Sequence, residues 1–232
     1  MNEHIIKVVP QRGFEAIQPL WEIVQGKGFI AGSYAAYMVG GFEFTPGDVD
    51  VFATSGENAD SIFWGCSEYL GLDYVGRSSI ARNLLPLSTS KIQLPVQIIS
   101  PNPTWVNFPD DIVQSFDMDV CRAILISPTE LMCDENIGLG KAKFLKINDP
   151  LRSLKRALKY HKRGFDFDDW ELIKLLQAWD QLDADRKSSV ISTARTECFE
   201  GEYEGDDDYD DDNDNEYWGG CYSIHDDYFD GE

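Results

Sequence analysis

Apolar positions recur at a helical spacing over residues 14–25, where Phe14, Ile17, Leu20, Trp21 and Val24 share one side and Gly26 and Gly28 stop the run. Phe29 to Ala31 then reads as a short buried strand, and Tyr34 to Val39 as the first turns of a helix closing at Gly40-Gly41, with a loop from Phe42 to Pro46. The run Asp48-Val49-Asp50-Val51-Phe52 has the period of a strand, with Val49 and Val51 turned into the core and Asp48 and Asp50 together on the other face. Residues 57–71 return to helical spacing, with Ile62, Phe63, Cys66, Tyr69 and Leu70 on one side. Lys91 to Ser100 predicts a strand in which Pro95 implies an edge or a bulge, Pro109 to Ser115 one or two helical turns, and Met118 to Ile126 a further apolar strand.

After Asp149-Pro150 the pattern becomes wholly helical. Leu151, Leu154, Leu158 and His161 define one predicted face, with His161 expected to pack, while Arg152, Lys155, Arg156, Lys159, Lys162 and Arg163 crowd the rest. Gly164 ends this helix, Asp168 or Asp169 can cap the next, and Trp170, Ile173, Leu176 and Trp179 form its predicted face. The chain therefore divides into an α/β (α+β) core over 1–148, a helical pair over 149–197 and a tail over 198–232. Asp206-Asp207-Asp208-Tyr209-Asp210-Asp211-Asp212 has too little apolar area to offset the entropy of ordering, so the tail is expected to be disordered.

Charge sharpens that division. The net charge is −21, but 16 of the 41 acidic residues lie from Glu197 onward, where there is no Lys or Arg; the remaining 25 face 20 basic residues, a mildly acidic body. A hydrophobic fraction of 43% over 232 residues supports one sizeable core with a small appendage. The five cysteines are scattered with no CxxC or Cys/His pairing, which argues against zinc and against a disulfide framework. No long apolar stretch predicts a membrane span and no basic leader precedes the first strand-like run, so the expected compartment is a reducing cytoplasm.

The candidate chemistry lies at Gly32-Ser33 and at Asp48 and Asp50. Two carboxylates spaced i and i+2 on one strand face make a hard, oxygen-rich site suited to Mg²⁺ (or Mn²⁺), which commonly serves nucleotide phosphates. Taken with the hydrophobic-Gly-Ser run before them, they resemble the polymerase-beta-like nucleotidyltransferase superfamily. The segments Asp48 to Phe52, Val96-Gln97-Ile98-Ile99, Phe116-Asp117-Met118-Asp119-Val120-Cys121 and Lys159 to Phe165 resemble one branch of it, with viral, phage and fungal members. The resemblance covers roughly residues 28 to 165.

It implies a mixed nucleotidyltransferase-type sheet flanked by helices. Gly32 and Ser33 would hold the triphosphate of an NTP by backbone amides and a hydroxyl, and Asp48 and Asp50 would ligate the metal during in-line attack at the α-phosphorus. A third carboxylate is usual in that family, and its place is taken here by Gln97, a neutral side chain that cannot serve as a base. Asp117 and Asp119 are the candidates to replace it, a reading favoured if Val96 to Ile99 and Met118 to Ile124 pair as adjacent strands. Lys155, Lys159 and Arg163 are read either as a solvated helix face or as cations opposite the phosphates. The expected activity is transfer of NMP to a hydroxyl on RNA, protein or a small molecule, in the host cytoplasm if the chain is phage-encoded. The alternative is a catalytically decayed fold that binds a basic protein partner through the acidic tail.

Overall fold

The computed structural model describes residues 5–40, 44–77, 81–100, 109–137, 139–189 and 191–192. Eight strands form one sheet: β1 (Ile5–Val8), β2 (Gly28–Ala31), β3 (Val49–Ala53), β4 (Leu72–Arg77), β5 (Ala81–Pro86), β6 (Val96–Ile99), β7 (Ala123–Ser127) and β8 (Glu130–Asp134). Their order is β1-β8-β7-β2-β3-β6-β5-β4, with β3 and β6 parallel and every other pair antiparallel. The helices are α1 (Phe14–Val24), α2 (Ser33–Val39), α3 (Gly56–Leu70), α4 (Pro109–Ser115), α5 (Pro150–Lys162) and α6 (Asp169–Asp180). The fold is a mixed α/β sheet flanked by helices, as expected.

One face of the sheet carries the main core. α1 buries Ile17, Leu20, Trp21 and Val24, and α3 buries Ala59, Ile62, Cys66 and Leu70; both helices join Val49, Val51, Val96 and Ile98 in one apolar cluster. Gly65 allows α1 and α3 to approach, because a Cβ there would lie 2.7 Å from Ile23 Cγ2. The Ser55 hydroxyl accepts the Asn58 N–H at 3.0 Å and so caps α3, which ends at Gly71 in a left-handed conformation, φ 71°. The opposite face is smaller, with Ala31, Phe52 and Ile124 covered by Ile112 and Val113 of α4.

A second cluster gathers Met118, Val120, Cys121, Phe144, Ala157, Tyr160, Phe165 and Leu175 beneath α5 and α6. Here the predicted faces are reversed. α5 buries Ser153, Ala157 and Tyr160, whereas Leu154 and Leu158 are 37% and 55% exposed and His161 is exposed, not packed. Small residues let the helix settle closely on bulk that Tyr160 and Phe165 supply. α6 is capped by Asp168, whose Oδ1 accepts the Glu171 N–H at 3.0 Å. It turns Glu171 inward because Glu171 Oε2 accepts the Phe144 N–H at 2.7 Å, and this leaves Trp170, Ile173 and Leu176 outside.

Three further expectations are corrected, and one hairpin was not anticipated. Tyr69 is exposed rather than packed. β4 and β5 form a hairpin that the apolar pattern did not mark. Pro95 precedes an internal strand, not an edge: β6 lies between β3 and β5, and the Pro95 carbonyl accepts the Val49 N–H at 2.8 Å. The run from Met118 to Ile126 is not one strand, since Met118 bridges to Phe144, Asp119–Cys121 forms a 3-10 turn, and only Ala123–Ser127 is extended. The expected disorder of the tail concerns residues outside those described.

Candidate active site

Strand register assembles the centre of the site. Asp50 stands opposite Ala31 on β2 and opposite Gln97 on β6, so both flanking strands bring their neighbouring residues to it. Val49 and Val51 are fully buried on one face, which turns Asp48 and Asp50 to the other. Gly32, at the N-terminus of α2 with φ 77°, presses its backbone against Asp50: a Cβ there would sit 2.7 Å from Asp50 Oδ2. The Gly32 N–H donates to the Ala123 carbonyl at 3.0 Å, and Ser33 begins the helix, buried.

The carboxylates sit in a demanding environment. Burial pushes Asp50 up to about 7, the charge of Asp48 adds to this, and Lys159 and Arg156 oppose it. Gln97 Nε2 donates to Asp48 Oδ2 at 2.9 Å, so the neutral residue at the third position braces one of the acids. Lys159 is held below its ordinary lysine value by burial first and Arg163 next, with Asp48 and Asp50 acting the other way. α5 thus brings Lys159 and Arg156 to the carboxylate pair. The Arg163 guanidinium lies 4.6 Å from the centre of the Phe44 ring and 5.5 Å from that of Tyr160, and its Nη1 is buried with no hydrogen-bond partner. Lys155 is exposed and is not among the charges that shift Asp50.

Asp117 and Asp119 do not stand beside Gln97. β7 is separated from β6 by β2 and β3, so the adjacency that would have favoured their joining the site is not met. Asp117 pairs with Arg156, whose Nη1 is 2.7 Å from Asp117 Oδ1, while Arg156 Nη2 donates to Cys121 Sγ at 3.1 Å. Burial opposes the Arg156 charge, and Cys121, Asp117, Tyr160 and Asp50 more than offset that. Asp119 is buried in its turn, with Oδ1 accepting the Lys143 N–H at 2.8 Å and Oδ2 without a partner. Among the described residues no three His, Cys, Asp or Glu side chains converge to hold a metal. Arg156 is the residue whose place at the site the sequence did not single out; its signal is the i, i+3, i+7 spacing with Lys159 and Arg163 along α5.

The donor set fits a magnesium ion that completes its shell elsewhere. Asp48 and Asp50 offer hard oxygens, repel each other when both are charged, and are approached on one side by a backbone too close for any side chain. Mg²⁺ is commonly held by one or two carboxylates with substrate phosphates and water as the other ligands.

No protein-family model and no curated protein matches the chain. Solved structures do. A tRNA-processing enzyme in an apo form aligns with a TM-score of 0.54 at 16% identity, covering 82% of this chain and 54% of its own. A tRNA nucleotidyltransferase complexed with a primer tRNA and an incoming ATP analog aligns with a TM-score of 0.51 at 18% identity, over 75% and 55% of the two chains. The Thermotoga maritima CCA-adding enzyme complexed with tRNA aligns with a TM-score of 0.51 at 16% identity, over 76% and 45%. The fold is of the nucleotidyltransferase type. This chain spans about half the length of each of those nucleotidyltransferase structures. Among its described residues no helix is long and apolar enough to cross a membrane.

Proposed function

We propose that this chain transfers a nucleoside monophosphate from an NTP to a hydroxyl acceptor, with Mg²⁺ or Mn²⁺ held by Asp48 and Asp50. The observation that carries this reading is the convergence on Asp50 of Asp48, the Gly32 backbone, and two cations from α5. When bound, the metal would neutralise the carboxylate pair and stabilise charge on the transferring phosphate. Lys159 and Arg156 supply positive charge for a triphosphate. Asp117 acts by holding Arg156 in place, and Ser33 with the first amides of α2 offers donors beside the metal-binding pair. RNA is the first acceptor to test, because solved neighbours of the same fold were captured with tRNA. The narrower viral, phage and fungal branch rests on the sequence resemblance alone.

A second reading is favoured by Gln97. Its amide already donates to Asp48, and a neutral group cannot take the proton of an attacking hydroxyl, so the site would bind nucleotide without turning it over. Partner binding through the acidic tail would then be the main activity.

Incubation with each labelled NTP, Mg²⁺ or Mn²⁺ and RNA separates the two. The first reading expects label transfer that Asp50→Ala abolishes. Metal-dependent NTP binding without transfer supports the second, and absence of both overturns the nucleotide assignment.

A further inference from the structure

We infer that the acidic, aromatic segment beginning at Glu197 docks within the same chain on the outward face of α5 and α6. Charge is the first argument. α5 carries five Lys or Arg residues and no Asp or Glu, with Arg156 and Lys159 beside the carboxylate site, whereas the segment from Glu197 carries 16 Asp or Glu and no Lys or Arg. The second argument is apolar surface. Leu158, Trp170 and Leu176 are 55%, 59% and 68% exposed, although the sequence periodicity marks them as interior faces. On α6 a shallow hollow of about 500 Å³ is lined by Ile173, Leu176, Gln177, Asp180 and Gln181. The segment brings matching side chains, with Tyr209, Tyr217 and Trp218 interleaved among its acids.

Tether length allows the contact. Asp206 lies 14 positions beyond Ser192, the last described residue. At about 3.5 Å per extended residue this reaches about 50 Å. A helix the length of α5 is only about 20 Å long. In the docked state the aspartates line the basic flank of α5 and the aromatic rings cover Leu158 and Leu176. Because Lys159 belongs both to α5 and to the carboxylate site, the docked segment competes with a polyphosphate; that consequence, unlike the docking, rests on the nucleotide reading.

The test is zero-length carbodiimide coupling in the full chain, using an equal mixture of isotopically light and heavy protein, with mapping by mass spectrometry. The expected result is coupling of Lys155, Lys159 or Lys162 to carboxylates between 206 and 216, within one isotopic label and suppressed by high salt. Leu176→Asp and Leu158→Asp, at exposed positions, should reduce the yield several-fold while circular dichroism stays unchanged. Absence of these links overturns the proposal, as do links between labels only, which place a second copy on the face, and links that both leucine variants leave intact. Links that ATP with Mg²⁺ diminishes support competition; links that ATP leaves unchanged uphold docking and count against nucleotide binding beside α5.

Discussion

Two side chains, Asp119 and Gln97, show how a residue singled out in the sequence takes its setting from its surroundings. Asp119 was a candidate third acid by its sequence, yet its carboxyl is buried, accepts a backbone N–H, and leaves one oxygen unpaired. Burial pushes it up to about 6, against a backbone hydrogen bond that lowers it. Its folded value exceeds the unfolded 3.8, so the native state holds a proton that the unfolded chain has released between these pH values, and stability falls as pH rises from about 4 through 6. Asp119→Asn should remove that dependence, flattening the melting temperature over this window by the equivalent of up to about 3 kcal/mol; denaturant titrations of both proteins at pH 4 and 7 check it. Gln97 was legible as a departure from the acid expected there. Its hydrogen bond to Asp48 was not, because strand register, which sets it, is a long-range property.

At the scale of elements, α1 and α3 approach closely over Gly65. An added side chain meets Ile23 Cγ2, and a β-branched residue on a helix has little rotamer freedom with which to yield. Gly65→Val should therefore destabilise by about 1–3 kcal/mol, seen as a lower midpoint in urea with an unchanged slope. The sequence marked α1, α2, α3 and α4 and the strands β2, β3 and β6, because periodicity reports burial directly when a helix or strand packs against a broad apolar surface; it did not mark β5 or β8, although they bury Leu84, Leu131 and Cys133. It misled on α5 and α6, where the contact surface is narrow and is met by Ser153, Ala157 and a hydrogen-bonded Glu171. It also missed the break at Cys121. Residues 118–126 are apolar apart from Asp119 and Arg122, and Arg122 forms a buried ion pair with Asp134 at 3.1 Å where the turn ends.

In the whole molecule, the cluster beneath α5 and α6 meets the sheet along aromatic contacts. Phe44 lies 5.9 Å from Tyr37 of α2 and 6.3 Å from Phe165, while Phe116 packs both against that cluster and against the sheet face covered by α4, 5.8 Å from Phe52. Replacing both with alanine should uncouple that cluster from the sheet, so that amides of 150–180 exchange well before those of the sheet, whereas in the parent protein the two regions open together; hydrogen exchange under mild denaturant measures this. The seam has a further consequence during synthesis. Asp48 and Asp50 leave the ribosome more than a hundred residues before Arg156 and Lys159. A nascent or truncated chain can possess the carboxylates with nothing to balance them, and the full set of charges exists only after the last helices have seated on the sheet. Premature termination before α5 would thus yield a product lacking half of its electrostatic centre, however well its strands had paired.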